Sequence, residues 1–236
     1  MQIQEKVMPL EIFEELLKAV SKFLERNLEV FGVSDLLKLP SRTFNGKIEP
    51  KKETLAEFHA VEEAVKKIEL YGDHIRYPIN VRVKGGFNES DDNRPYSTTK
   101  PHTDIWAGDA PNSFVHIIPI FGDMVGNGMR FAETEVKDKD NFYKQHASYD
   151  EAMKTVGRLK WKNLQMRPMS YFIVDPCCIH QTLQSTEGFR VSIDLRTSQG
   201  PAEAAKYSDL YIPKDEFLKR NFETDETVKS TLEKFK

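Results

Sequence analysis

The chain has 236 residues, 39% of them hydrophobic and 11% aromatic, which is enough apolar material for one sizeable domain and excludes a globally disordered chain. Net charge is −3 with acidic and basic residues interspersed, so nothing asks for a nucleic-acid partner or an anionic membrane surface. Two adjacent cysteines, Cys177 and Cys178, make no disulfide framework, no run of about 18 apolar residues exists to span a membrane, and the charged N-terminus lacks a signal-peptide core. The expected setting is therefore the cytoplasm.

In chain order, Phe13, Leu16, Leu17, Val20, Phe23 and Leu24 recur at helical spacing, predicting a one-sided helix over residues 9–27 with Pro9 in its first turn. Residues 40–50 read as a loop. A second helix is expected over 53–70, with Gly72 as its stop and His59 as a surface or capping residue. From Tyr77 the period drops to two: Ile79, Val81 and Val83 alternate with Asn80, Arg82 and Lys84, as in a strand with one wet face. Residues 87–97 form a polar loop just before the metal motif, either a candidate lid or an ordinary solvated loop. A strand over Thr98–Trp106 follows, then a turn at 107–111 and strands at Phe114–Phe121 and Met129–Glu133. Residues 137–158 lose the strand pattern and read as an inserted loop with some helix. Further strands are expected around Leu164–Met166, Tyr171–Val174, Ile179–Leu183 and Phe189–Leu195. A helical tail over 201–236 would dock through Leu210, Tyr211, Phe217 and Leu218. The expected organisation is a single domain over 1–236, with helical support at 1–72, a core at 77–197 and a tail at 198–236. It is mainly β with flanking helices, and about eight short strands in two sheets make a jelly roll. The terminal helices offer a surface for a homodimer, but oligomeric state is not legible.

The chemistry gathers at Pro101-His102-Thr103-Asp104-Ile105-Trp106. Two residues apart on a strand, His102 and Asp104 share a face. If His180 folds beside them, two imidazoles and a carboxylate hold a metal on one side and leave the other open, the pattern of a non-haem Fe(II) facial triad. A zinc site is also compatible with the donor set, but the zinc-protease pattern places both histidines on one helical turn around a Glu, so iron fits better. Arg190 and Ser192 lie ten and twelve residues beyond His180, room for a strand, a turn and a return, and point to one face of it. An arginine fork beside a hydroxyl suits a carboxylate.

His102-x-Asp104, a distal His180 and Arg190-x-Ser192 together resemble the Fe(II)/2-oxoglutarate-dependent oxygenase superfamily over roughly residues 77–197. The resemblance implies a double-stranded β-helix core of jelly-roll, cupin-like type. It implies Fe(II) on His102, Asp104 and His180, and 2-oxoglutarate held by Arg190 with Ser192 assisting. It also implies use of O2 to oxidise a substrate C–H bond, with succinate and CO2 as co-products. The retained Asp104 argues against a halogenase, whose family members lack that carboxylate. The run HTDIWAGDAPNS with INVRV upstream is loosely similar to an antibiotic-biosynthesis branch of the streptomycin type, which implies a sugar, aminocyclitol or other small polar metabolite.

Other residues carry two readings each. Asn80 and Arg82 either contact 2-oxoglutarate or substrate or face solvent. Trp106 walls the substrate pocket or packs in the core. Arg130 meets an anionic substrate group or sits on the surface. Tyr171 donates into the pocket or belongs to the core. Asp194 pairs with an arginine, His116 is a hydrogen-bonded core residue, and the cysteines are buried thiols. Two rival functions stay open: a non-catalytic jelly roll that binds a polar ligand, and a metal-dependent hydrolase on the same scaffold.

Overall fold

The computed structural model describes residues 3–30, 35, 45–85, 94–185 and 188–220. Eleven strands carry the described fold: β1 Ile3–Val7, β2 Asn45–Lys47, β3 His74–Arg76, β4 Asn80–Gly85, β5 Ser113–Gly122, β6 Met129–Val136, β7 Val156–Leu164, β8 Ser170–Val174, β9 Ile179–Thr182, β10 Phe189–Ser198 and β11 Tyr211–Pro213. Eight of them form one antiparallel sheet in the order β1-β8-β5-β10-β3-β11, with β4 beside β10 and β2 beyond β4. The other three form a small sheet ordered β7-β6-β9. Two antiparallel sheets facing across a cavity make the double-stranded β-helix, the fold class the strand count and the motif both predict.

Two helices, α1 Leu10–Leu28 and α2 Leu55–Val65, cover the outer face of the large sheet. The apolar stripe of α1 explains why: Phe13, Leu16, Val20, Phe23 and Leu24 are all buried. They meet Phe58, Val61 and Val65 of α2 and the sheet residues Val81, Val83, Val191, Ile193 and Leu195. Phe23 and Phe58 anchor the seam with ring centroids 5.3 Å apart. Burial of each such side chain contributes about 1.5–3 kcal/mol. Since strand side chains alternate, sending the odd-numbered residues of β4 and β10 into this core turns the even-numbered ones to the opposite face, where the functional cavity lies.

That alternation corrects the reading of β4. Its polar face is not wet: Asn80 and Lys84 are buried and Arg82 is mostly so. The predicted strand over Thr98–Trp106 is not a strand either. His102 makes a single bridge with His180, and Asp104–Ala107 is a 3-10 turn. A turn, not a shared strand face, therefore brings Asp104 toward His102. Gly108 closes it with φ of 101°, where a Cβ would come within 3.0 Å of Lys206 Cβ.

Other elements depart from expectation for local reasons. β1 and β7 were not anticipated, because both are edge strands. β7 sets Leu159 and Trp161, partly buried against a hydrophobic cluster, between the exposed Arg158, Lys160 and Lys162, and charge on an edge guards against unwanted pairing. The insertion therefore holds only α3 Lys139–Phe142, α4 Tyr149–Ala152 and a 3-10 turn before β7 begins at Val156. β2 crosses the expected 40–50 loop, and residues 40–44 of that loop lie outside the described residues. α2 stops at Val65, short of Gly72, and His59 is buried with Nδ1 2.9 Å from Glu62 Oε2. The described part of the tail is mostly not helical. It runs through β11 to the six-residue α5 Lys214–Lys219, where Phe217 is fully buried and Leu218 is 40% exposed. Residues 87–93 of the polar loop and 221–236 of the tail lie outside the described residues. No helix among the described residues is long and apolar enough to cross a membrane.

Candidate metal centre

His102, Asp104 and His180 come together as a buried cluster whose ligand atoms all lie within 4.8 Å of one another. Each side chain is held by a specific backbone feature. The His102–His180 bridge sets the two imidazoles side by side, with centroids 4.1 Å apart. His102 Nδ1–H donates to the Lys100 carbonyl at 2.8 Å and His180 Nδ1–H to the Cys178 carbonyl at 3.0 Å. A carbonyl can only accept, so the tautomer is fixed and both Nε2 lone pairs are presented to the cluster. Tyr149 of α4 stacks on His102 at 4.3 Å and 18°, locking the ring plane from the other side. Burial, and then the neighbouring His180, push His102 down to about 3, so its imidazole is neutral and ready to ligate.

Asp104 is shared. Its Oδ1 accepts from Arg196 Nη2 at 2.9 Å, while Oδ2 lies 3.9 Å from His180 Nε2. Burial opposes ionisation, but Arg196, then His180 and His102, outweigh it and hold the carboxyl down at about 2. Arg196 also donates through Nε to Asp109, which accepts from Arg76 at 3.3 Å. Asp109, then Asp104, more than offset the burial of this guanidinium, which stays charged. Relative to the ordinary 3.8, the lowered Asp104 value means its stabilising ionisation is present above about pH 4 and lost as pH falls toward 2. Replacing Arg196 by methionine removes that support and lets burial raise the carboxyl. The acid limb of metal binding, measured by titrating Fe(II) anaerobically at several pH values, is expected to move to higher pH. An unmoved limb would show that Arg196 does not tune the site.

The three ligands open onto a cavity of about 240 Å³. Arg190 lines it from β10, 3% exposed, with Nη1 3.1 Å from Met166 Sδ and a buried Nε that has no hydrogen-bond partner among the described residues. Burial, eased by Asp194, brings it down to about 10, still cationic at neutral pH. Asn80 and Arg82 also line the cavity, as does Asp194, whose Oδ2 lies 2.8 Å from Arg82 Nε outside good hydrogen-bond geometry.

The other candidates lie elsewhere. Ser192 shares the strand face of Arg190, but its hydroxyl donates to Asp194 at 3.1 Å and it is not in the cavity wall. Trp106 is fully buried, with Nε1 donating to the Phe142 carbonyl, because the 3-10 turn swings it behind Asp104. Arg130 turns away to Gln181 Oε1 at 2.6 and 2.8 Å and stacks over Trp161. Tyr171 is core, its hydroxyl bonded to the Glu69 carbonyl. His116 bonds Thr197 inside the sheet, and burial, then Asp175, raise both cysteine thiols to about 12.

Sequence reasoning passed over Arg196, Asp109, Tyr149, Lys47, Arg76 and Lys84. Arg196 and Lys84 carried a signal, since each extends a period-2 face already singled out: Arg190-Ser192-Asp194 and Asn80-Arg82. The others lie in turns, short strands or the insertion, where no period marks them.

The fold and site define a double-stranded β-helix protein with a buried His-Asp-His cluster able to hold one metal ion. No protein-family model matches the chain, and no curated protein matches it. Among solved structures it is similar to the non-heme alpha ketoglutarate dependent carbocyclase SnoK from nogalamycin biosynthesis (11% identity, 84% of this chain and 80% of that one, TM-score 0.49). It is similar also to AviO1 from Streptomyces viridochromogenes Tue57 (11% identity, 86% and 92%, TM-score 0.47) and to EctD from S. alaskensis with bound Fe (13% identity, 84% and 72%, TM-score 0.41). Likeness at these values says nothing about substrate or reaction, and the functional reading rests on the site.

Proposed function

We propose that this chain is an Fe(II)- and 2-oxoglutarate-dependent oxygenase that hydroxylates or otherwise oxidises a small polar molecule, with succinate and CO2 as co-products. The observation that carries the reading is one cavity holding both a buried His-Asp-His cluster and a buried arginine whose Nε has no hydrogen-bond partner among the described residues. The donor set of two neutral imidazoles and a carboxylate suits Fe(II), and three ligands leave positions open. Bound there, Fe(II) would supply the redox chemistry of O2 activation.

The chain's own residues do the rest. His102 and His180 present Nε2, and Asp104 offers Oδ2 while Arg196 occupies its Oδ1. Arg190 grips the distal carboxylate of 2-oxoglutarate through a charge-assisted fork. Fe(II), Asp104, the 2-oxoglutarate dianion and Arg190 then sum to zero charge, as a buried site requires. Val115, Ile117 and Met129 form an apolar wall that limits water around the reacting centre. Tyr149, its hydroxyl pushed above the usual tyrosine range by burial and then Asp104, remains a protonated donor at the cavity edge.

A hydrolase on this scaffold needs a free carboxylate as base. Among the described residues, each of the three lining the cavity is engaged: Asp104 and Asp109 by Arg196, and Asp194 by Arg82. The expected result with purified protein is succinate formation from 2-oxoglutarate that depends on both added Fe(II) and O2. Metal-dependent turnover of an ester or amide without O2 would favour the hydrolase instead.

A further inference from the structure

Asn80 and Tyr149 line the cavity with polar groups that the chain itself leaves unused. They are 7% and 3% exposed, and neither the Asn80 amide nor the Tyr149 hydroxyl makes a hydrogen bond among the described residues. A buried polar group without a partner is destabilising, so a group left open in a cavity wall is available to a ligand. Both groups are held in place. Asn80 is the first residue of β4, paired across the sheet with Asp194. The Tyr149 ring stacks on His102 and meets Tyr96 edge-on at 5.3 Å. Its backbone N–H donates to the Pro95 carbonyl at 3.0 Å, and the neighbouring Asp150 pairs with Lys100 at 2.6 Å.

Position separates Asn80 from the co-substrate. On the functional face of the sheet Arg190 stands opposite Lys84, and Asn80 stands four residues further along, opposite Asp194. Four residues of strand cover about 13 Å, whereas the five-carbon chain of a keto diacid has a contour of only about 6 Å. Tyr149 enters from α4, against the metal-ligating His102. The charged side chains at this end already answer one another. Arg82 pairs with Asp194 at 2.8 Å, Arg196 with Asp104 and Asp109, and Arg76 with Asp109 at 3.3 Å. Lys47, opposite Arg82, lies 3.8 Å from Glu49. An ionic substrate group seated here would have to displace a partner from one of these pairs, which is costly where the pair is buried.

We infer that the substrate is an uncharged, hydroxyl-rich molecule, a polyol or a sugar ring, whose hydroxyl groups bond the Asn80 amide and the Tyr149 hydroxyl. This rests on the oxygenase reading for the place of 2-oxoglutarate and deepens it by naming the substrate class. A carboxamide offers a donor and an acceptor side by side, and a hydroxyl is both, so one amide can meet two neighbouring hydroxyls. The phenol is protonated at neutral pH and donates to a hydroxyl or ether oxygen. Together the two contacts fix the face that the molecule turns to the cluster, which decides the C–H bond that is oxidised.

The test titrates glycerol, myo-inositol and methyl glucoside, with acetate, methylammonium and N-methylacetamide as controls, into anaerobic protein saturated with Fe(II) and 2-oxoglutarate at fixed ionic strength. Binding is followed by calorimetry, and the visible band of the metal-bound keto acid is recorded in the same samples. The best-bound polyol is expected to bind at least ~10-fold more tightly than any control. Tyr149→Phe keeps the ring that stacks on His102 and removes only the hydroxyl; Asn80→Leu keeps the shape and removes the amide. Each is expected to weaken that polyol by ~3–10-fold, the loss of one uncharged hydrogen bond. The inference is overturned if a control binds as tightly as every polyol, or if both variants bind the polyol like the wild type. A normal band with no preference for polyols removes this inference and leaves the oxygenase reading. If the band never forms but a polyol binds the wild type and is weakened in both variants, the oxygenase reading falls and the hydroxyl-binding site stands.

Discussion

Replacing Asp104 by alanine is expected to abolish Fe(II) binding and 2-oxoglutarate turnover together. The variant leaves two neutral imidazoles with no anionic ligand, and it strips a buried arginine of one of its two carboxylates. Losing an outer partner of a metal ligand typically costs 10–100-fold in affinity, so losing the ligand itself should cost more than ~100-fold. Part of any loss in the alanine variant is a folding effect, since an unpaired buried charge is strongly destabilising. Asp104→Asn separates the two. Its amide oxygen can still accept from Arg196, so the fold is kept while the anionic donor is lost. Iron binding measured by anaerobic equilibrium dialysis should fall in both variants, and full activity in Asp104→Asn would sink the ligand assignment.

Arg190→Ala is expected to act on the co-substrate instead of the metal. A hydrogen bond to a charged group contributes about 1.5–3 kcal/mol, which corresponds to a ~10–150-fold rise in the 2-oxoglutarate concentration needed for half-maximal rate. Fe(II) binding should stay near the wild-type value, because Arg190 donates to no ligand of the cluster. Arg190→Met, which refills the space beside Met166, should show the same rise without a packing defect. The measurement is KM for 2-oxoglutarate against kcat in each variant. An unchanged KM with a lowered kcat would assign Arg190 to another task.

What could be read in advance follows from where physical periodicity is strong. α1 was legible because Leu16, Val20 and Phe23 must all meet a core. β4, β5, β8 and β10 were legible because each has at least one strongly apolar face. The members of the metal cluster were legible as a set of residue types, but the geometry that unites them was not. His102 and Asp104 were expected on one strand face, whereas a single bridge and a 3-10 turn bring them together, and that same turn buries Trp106 away from the cavity. Buried polar faces are the other blind spot. Alternation shows that Asn80, Arg82 and Lys84 share a side of β4, but only the small sheet packed opposite decides that this side is enclosed. Arg196 could have been found by continuing the Arg190 face to its end. Tyr149 and Asp109 could not, because their places are set by long-range packing of an insertion and a turn.

The most direct measurement is an anaerobic titration of metal-free protein with Fe(II) followed by 2-oxoglutarate, watched in the visible spectrum. The site described here predicts a weak charge-transfer band from a keto acid chelated to iron, forming stoichiometrically in the wild type. In Asp104→Asn the band should be absent, and in Arg190→Ala it should require far more 2-oxoglutarate. Iron binding at the cluster without that band at any 2-oxoglutarate concentration would contradict the oxygenase assignment.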